Sequence, residues 1–280
     1  MKVFKTHTDL RQYLDIVGKA GQILGFAPTM GALHAGHMAL IDHLKECCDV
    51  VVCSIFVNPT QFNNVKDLET YPRTLDADLE MLEAAGCDVV FAPSQVEMYP
   101  TEETWYLDLG ELDQILEGAH RPGHFQGVTQ VVKKLFDAVQ PDVACFGQKD
   151  YQQVMVVQRM IDIFKMPISL HVVPTARDAH GLAMSSRNRR LSEKGRLLAS
   201  RIFMILNQVS VDIQKYGPER AVVLGMEQMG TIPEFKVEYL EVRAQGTLDT
   251  VAYWDETLKV VILTAVWVEG VRLIDNLLVH

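Results

Sequence analysis

Sulfur chemistry is scarce in this chain of 280 residues. Its five cysteines, Cys47, Cys48, Cys53, Cys87 and Cys145, include no C-x-x-C pair. That excludes paired-cysteine redox and zinc motifs, and the apolar neighbourhoods of these thiols predict buried, reduced side chains in a cytoplasmic protein. Long hydrophobic runs are missing too. The longest, residues 260–268, is about half a membrane span. Met1-Lys2-Val3-Phe4-Lys5 leads into no signal-like apolar stretch, so no membrane association is expected. Positive charge is in deficit: 26 Lys and Arg stand against 36 Asp and Glu, a net charge of −10. Such a chain is poorly suited to a nucleic-acid backbone, and no nucleic-acid partner is expected. A small anion still binds where local donors converge, which makes clustered Lys, Arg and His informative. Repeats and low-complexity tracts are absent as well.

What is present is the composition of a soluble globular protein, 48% hydrophobic and 22% charged, long enough for one large domain or two. Through the first 175 residues apolar runs alternate with helical patterns. Strands are predicted at residues 23–27, 50–57, 88–92, 143–146 and 168–173. Between them Met38, Ile41, Leu44 and Cys48 share a helix face, as do Leu75, Leu79, Leu82 and Ala85 before Gly86; residues 128–139 and 151–164 read as two more helices. Strands separated by helices predict an α/β fold, a Rossmann-like parallel sheet with helices on both faces. After Pro174 the pattern changes. Helices are predicted at 191–209 and 218–229, and strands at 235–242, 258–268 and 271–274, a smaller α+β domain with an antiparallel sheet. The expected domains are 1–175 and 176–280.

Ligands of parallel sheets bind beyond the carboxyl ends of the strands, and the chemistry-bearing clusters fall there. Met30, Gly31, Ala32, Leu33, His34, Ala35, Gly36 and His37 join the first strand to a helix N-terminus, whose unpaired N–H groups and dipole favour an anion; Gly36 leaves room for a close approach. Asn58-Pro59-Thr60-Gln61 ends the second strand, and Gln61 offers donor and acceptor without imposing a charge. Gly147, Gln148, Lys149 and Asp150 follow a later strand, with Gln153 one turn into the next helix. Lys149 suits a phosphate, and Asp150 a ribose hydroxyl or a metal's water. Met184, Ser185, Ser186 and Arg187 sit at the domain boundary, where two hydroxyls and a guanidinium grip a triphosphate. In His120-Arg121-Pro122-Gly123-His124 the intervening Pro and Gly argue against a helical zinc pair and for a loop beside the substrate pocket. The remaining histidines, His43 and His171 among them, read as ordinary polar residues.

Residues 30–37 resemble the HxGH signature of the nucleotidylyltransferase superfamily. With residues 58–62, 71–74, 121–128, 146–153, 182–188 and 272–276 in order, nearly the whole chain resembles the pantoate–β-alanine ligase family. That resemblance implies an AMP-forming carbon–nitrogen ligase. Pantoate is adenylated by ATP and then condensed with β-alanine, by a cytoplasmic homodimer using Mg2+. It implies an ATP site at residues 30–37, 147–150, Ala176 and 184–187. His37, His34, Lys149 and Arg187 would be catalytic, Gln61 and Gln153 would hold pantoate, and Gln61 would also meet β-alanine. Asp78 would contribute to the metal, and the second domain would supply a lid. His180 and the Val268-Glu269-Gly270-Val271 stretch depart from the family pattern, which puts the hydrogen bonding of the closing loop in question. The alternative is another HxGH nucleotidylyltransferase acting on a phosphate-bearing acceptor, which the neutral Gln61 and Gln153 argue against. A non-catalytic nucleotide sensor would have no need of His37 and Lys149, and a tRNA-charging enzyme lacks an anticodon-binding module here.

Overall fold

In the computed structural model the chain forms two compact units, Met1–Pro174 and Thr175–His280. The structure describes residues 1–279, and Lys19 by its backbone alone. The first unit holds strands β1 (Lys2–Phe4), β2 (Leu24–Thr29), β3 (Val50–Ile55), β4 (Val89–Phe91), β5 (Val143–Gly147) and β6 (Ser169–Val173). They form one sheet, every neighbour parallel, in the order β1-β4-β3-β2-β5-β6. Helices α1 (His7–Lys19), α2 (Ala35–Cys47), α3 (Leu75–Ala84), α4 (His124–Val139) and α5 (Tyr151–Phe164) connect the strands. β3 has no polar face because helices cover the sheet on both sides, and its run Val50–Val52 is buried throughout. Phe26, Phe91, Phe125 and Phe136 are almost completely buried in this unit. Truncating one of them to Ala costs about 3–5 kcal/mol.

Strand order places the functional motifs. From β2 the chain steps outward to β3 and β4, then returns to the other side of β2 for β5. The connections after β2 and β5 therefore flank the point where the direction of winding reverses, the usual crevice for a ligand. Residues 30–37 leave β2 there, and Gln148–Asp150 leaves β5 as a 3₁₀ turn.

β1 and α1 are additions to the pattern expected from sequence. The signals for α1 are local: the Thr6 hydroxyl oxygen accepts from the Asp9 N–H, and Leu10, Leu14 and Val17 are buried along one face. α4 starts at His124, four residues before the expected position, because Gly123 supplies a left-handed turn (φ 79°) immediately before it.

The second unit holds α6 (Glu193–Ala199), α7 (Arg201–Tyr216), α8 (Pro218–Gly230) and an antiparallel sheet of β7 (Phe235–Ala244), β8 (Val260–Val268) and β9 (Val271–Val279) in that order. Ile202, Ile205, Leu206, Val209 and Ile213 of α7 join Val260, Ile262, Val266 and Val268 of β8 in its core. Two expectations are corrected. The helix expected at 191–209 is interrupted at Ser200, whose hydroxyl donates to the Leu197 carbonyl at 2.8 Å and competes with the helix ladder. β9 runs five residues past Ile274, because the polar pair Asp275-Asn276 that ends the apolar pattern is itself buried. The Asp275 carboxylate takes both terminal nitrogens of Arg177 at 2.6 and 2.8 Å. Among the described residues no helix is long and apolar enough to cross a membrane.

Candidate active site

The connection leaving β2 is built on two left-handed residues, Gly31 (φ 77°) and Ala32 (φ 51°). Their geometry turns successive backbone N–H groups one way, and a buried acceptor fixes them. Asp78, 1% exposed in the first turn of α3, accepts from the Ala32 N–H on Oδ2 and the Leu33 N–H on Oδ1, both at 2.8 Å. The Thr74 hydroxyl adds a third bond to Oδ1 at 3.1 Å. A Cβ on Gly31 would lie 3.0 Å from Asp78 Oδ2, so this glycine serves both conformation and space. Asp78, expected to contribute to a metal, anchors the β2–α2 loop through both of its oxygens.

The same loop caps α2 with histidines. His34 is the N-cap, and its Nδ1 accepts from the Gly36 N–H at 3.1 Å; His37 Nδ1 accepts from the His34 N–H at 3.3 Å. The result is a capping box with imidazoles in place of the usual hydroxyl and carboxylate. It has a chemical consequence. A nitrogen that accepts from a backbone N–H carries no proton, so each neutral ring carries its proton on Nε2. Two Nε2–H donors thus stand at a helix N-terminus, on half-buried rings 4.1 Å apart. An anion placed there meets side-chain donors and the positive end of the dipole together.

Gln61 is 8% exposed and lies in the Pro59–Gln61 turn beyond β3. Its Oε1 accepts from Asn58 Nδ2 at 3.1 Å, and its Nε2 lies 3.2 Å from the Met30 sulfur, which brings two of the expected site residues together. α4 holds this turn from outside. Asn58 Nδ2 also donates to the Gly127 carbonyl, His124 Nδ1 is 2.8 Å from the Gln61 carbonyl oxygen, and Arg121 reaches both His124 and that oxygen. A Cβ on Gly127 would meet the Thr60 carbonyl oxygen at 2.3 Å. The Tyr99 hydroxyl donates to Asn58 Oδ1 at 2.8 Å, and burial pushes that phenol above its ordinary value. Segment 120–127, expected as a loop beside the substrate pocket, enters α4 at His124 and buttresses Gln61. The small residue among large ones at Gly127 is the signal for it.

After β5, Lys149 is half-buried and lies 3.4 Å from the Asp150 carboxylate. Gln152 is buried, donating to the Leu112 and Ile115 carbonyls and accepting from the Glu117 N–H. Gln153 is half-buried and its side chain makes no hydrogen bond among the described residues, so its amide is available to a ligand.

In the second unit, described by itself, the Met184 N–H donates to the Ala176 carbonyl at 2.9 Å. The Ser185 hydroxyl caps the 3₁₀ turn Ser186–Arg190 by accepting from the Arg187 N–H. Ser192 caps α6 separately, accepting from the Gly195 N–H. The turn before Ala183 is set by Asp178, which accepts from the N–H groups of His180 and Leu182 at 2.8 and 2.9 Å. His180 is exposed and contributes only its backbone to this hydrogen bonding, so the departure at that position leaves the turn intact. Glu269 and Gly270, both left-handed, make the β8–β9 hairpin turn. The Glu269 carboxylate accepts from the Ser192 hydroxyl and N–H, which holds it below the usual carboxylate range.

Known proteins resemble this chain over nearly its whole length. Residues 2–278 match the family model described as pantoate-beta-alanine ligase. The chain is 44% identical to the pantothenate synthetase of Cytophaga hutchinsonii over 272 residues, 96% of each chain, and 42% identical to that of Porphyromonas gingivalis over 99% of each. Among solved structures, pantothenate synthetase from Thermus thermophilus superposes with a TM-score of 0.91 at 39% identity over 99% of both chains. The pantoate-beta-alanine ligase of Francisella tularensis, solved with beta-gamma ATP and beta-alanine, gives 0.84 at 35% identity, covering 99% of this chain and 97% of that one. The β2–α2 histidine cap, the Gln61 turn and the Lys149 turn thus stand on a chain that belongs to the pantoate–β-alanine ligase family.

Proposed function

We propose that this enzyme condenses pantoate with β-alanine using ATP, through a pantoyl-adenylate intermediate, giving pantothenate, AMP and diphosphate. The observation that carries the mechanism is the pair of imidazoles at the α2 N-terminus with Nε2–H fixed on both, in the same loop as Met30, whose sulfur lies 3.2 Å from the Gln61 amide nitrogen. In the first step a pantoate carboxylate oxygen attacks the α-phosphorus, and the bond from that phosphorus to the bridging oxygen breaks as diphosphate leaves. In the second the β-alanine amine attacks the acyl carbon, the carbon–oxygen bond to AMP breaks as AMP leaves, and the amine releases a proton to solvent. Neither step needs a covalent enzyme intermediate. The protein's work is alignment and stabilisation of charge on phosphate oxygens.

In this reading His34 and His37 donate Nε2–H to phosphate oxygens, and Lys149 neutralises charge that builds up in the first step. Gln61 and Gln153 hold pantoate by neutral amide contacts, and Gln61 also meets β-alanine. Backbone at 30–36 and 147–150 contacts the nucleotide; Ala176, Met184, Ser185, Ser186 and Arg187 are assigned to ATP by their match to the family motif alone. Mg2+ fits as a passenger of the triphosphate. Asp78 is committed to the loop, and the His/Cys/Asp/Glu cluster able to hold an ion among the described residues is no carboxylate cage. Phosphate oxygens and water would hold the ion, and the accessible Asp150 carboxylate could accept from its waters. When bound, Mg2+ supplies charge neutralisation on the phosphates. A cytoplasmic homodimer completes the reading, supported by five free thiols and by the family resemblance.

The test is isotope exchange between pyrophosphate and ATP with purified protein. Exchange that needs pantoate and Mg2+ but not β-alanine is expected. A folded protein that shows none with pantoate present overturns the adenylate route.

A further inference from the structure

Away from the nucleotide motifs the fold assembles a second chemical cluster in the first unit. His43, Cys47 and His171 each offer one ligand atom; all three atoms lie within 4.8 Å of one another, and all three side chains are half-buried. His43 and Cys47 are four residues apart on α2 and so share one face. His171 arrives from β6, paired in register with Cys145 of β5, 128 residues further along the chain than His43. His43 Nε2 and His171 Nδ1 are 2.9 Å apart, and the Cys47 thiol donates to the His43 carbonyl oxygen at 3.3 Å. Cys48, its sulfur 3.6 Å from that of Cys47, is turned elsewhere: a Cβ on Gly25 of β2 would lie 2.8 Å from it.

We propose that His43, Cys47 and His171 bind a zinc-class divalent cation, with water in the fourth position. The donor set is one thiolate and two imidazoles without a carboxylate, which suits Zn2+ and disfavours Mg2+ or Ca2+. The geometry is near what is needed. Tetrahedral zinc with bonds of about 2.1 Å to nitrogen and 2.3 Å to sulfur separates its ligand atoms by roughly 3.3–3.6 Å. The histidine pair has to open by about half an ångström, and the widest separation has to close by at most about 1.3 Å, movements within the reach of side-chain torsions. The balance is simple. Cys47 releases its thiol proton to solvent. The single proton between the two facing nitrogens moves to an outer nitrogen, so that His43 carries hydrogen on Nδ1 and His171 on Nε2. The ion would tie α2 to β6. Its ligand nearest the helix N-terminus, His43, is six residues, or about 9 Å of helix, beyond His37, which places the site outside the nucleotide cradle.

Full-length protein stripped with a chelator is titrated with Co2+, then with Zn2+ in competition. A thiolate-to-cobalt charge-transfer band with tetrahedral d–d bands is expected, with one equivalent of Zn2+ abolishing it. Cys47→Ser should remove the charge-transfer band, His171→Ala should weaken Co2+ binding at least tenfold, and Cys48→Ser should leave the spectrum unchanged. Zn2+ at about a hundredfold over its Kd should raise the Tm of the wild-type protein by about 5 °C or more, and that of Cys47→Ser by much less. Pantothenate formation should be unaltered by Cys47→Ser. An octahedral, aqua-like Co2+ spectrum in the folded wild-type protein overturns the site without recourse to any variant. A charge-transfer band that survives Cys47→Ser, or is lost in Cys48→Ser, overturns the ligand set.

Discussion

At the residue scale the decisive side chains are those that hold other groups in place. Asp78 accepts two loop N–H groups from a fully buried position. Asp78→Asn keeps the size but turns an amide NH2 toward one of them. It should lower stability by about 2–3 kcal/mol, read by urea unfolding, and weaken ATP binding together with it. Its position in sequence, inside Leu-Asp-Ala-Asp-Leu on an amphipathic helix, gives no hint of the loop 45 residues earlier. His37 and Lys149 differ in being proposed to meet the substrate. His37→Ala and Lys149→Ala should each cut single-turnover adenylation by about a hundredfold or more with the protein still folded. Near-normal rates in both would place the chemistry elsewhere. Both stand in connections that follow a parallel strand and lead into a helix N-terminus, a setting that residue type and position alone point to as favouring an anion.

At the element scale the close approach of α4 to the Pro59–Gln61 turn decides the Gln61 geometry. Gly127→Ala puts a methyl group within 2.3 Å of the Thr60 carbonyl oxygen, a backbone atom that cannot swing away. The turn has to move, and KM for pantoate should rise tenfold or more while KM for ATP changes little, as steady-state kinetics with each substrate varied will show. Elements themselves are readable where burial is one-sided or complete. The run Val50–Ile55 is such a strand, and the face Met38, Ile41, Leu44 such a helix. The errors have a common cause. α1 announces itself by a cap and three apolar residues, β9 carries an ion pair through its middle, and the helices around Ser200 are parted by one hydroxyl. In each case side-chain hydrogen bonding overrides or supplements the apolar period.

At the scale of the molecule two predictions concern stability. The Arg177–Asp275 pair is bidentate, with Asp275 buried and Arg177 half-buried, and Arg177 also lies 3.7 Å over the Phe203 ring. Asp275→Ala leaves a guanidinium without its partner, at a cost of about 3–5 kcal/mol. Hydrogen exchange should show the amides of β7, β8 and β9 losing protection while those of β2, β3 and β5 keep theirs; equal loss in both would contradict separate cores. The second concerns alkali. Burial pushes the thiols of Cys87 and Cys145 up to about 12 from an ordinary value of 9.0, and raises Cys53 well above it. Between those values the unfolded chain gives up thiol protons that the folded chain keeps, so each thiol's contribution is complete below pH 9.0 and is lost as pH rises toward 12. Urea midpoints should therefore fall progressively above pH 9, and Cys53, Cys87 and Cys145 should resist alkylation at pH 8 in the native protein.

The sequence by itself determined the fold class and the turns that follow β2 and β5, because period, turn chemistry and helix-terminal residues are local and act over a few positions. It also carried the resemblance on which the substrate reading depends. Tertiary structure decided what lies between distant segments: that Asp78 holds the β2–α2 loop, that α4 supports Gln61, and that His43 and Cys47 meet His171. Sheet order brings these partners together, and the order β3-β2-β5 follows from how helices and strands bury one another's apolar faces, which no local pattern encodes.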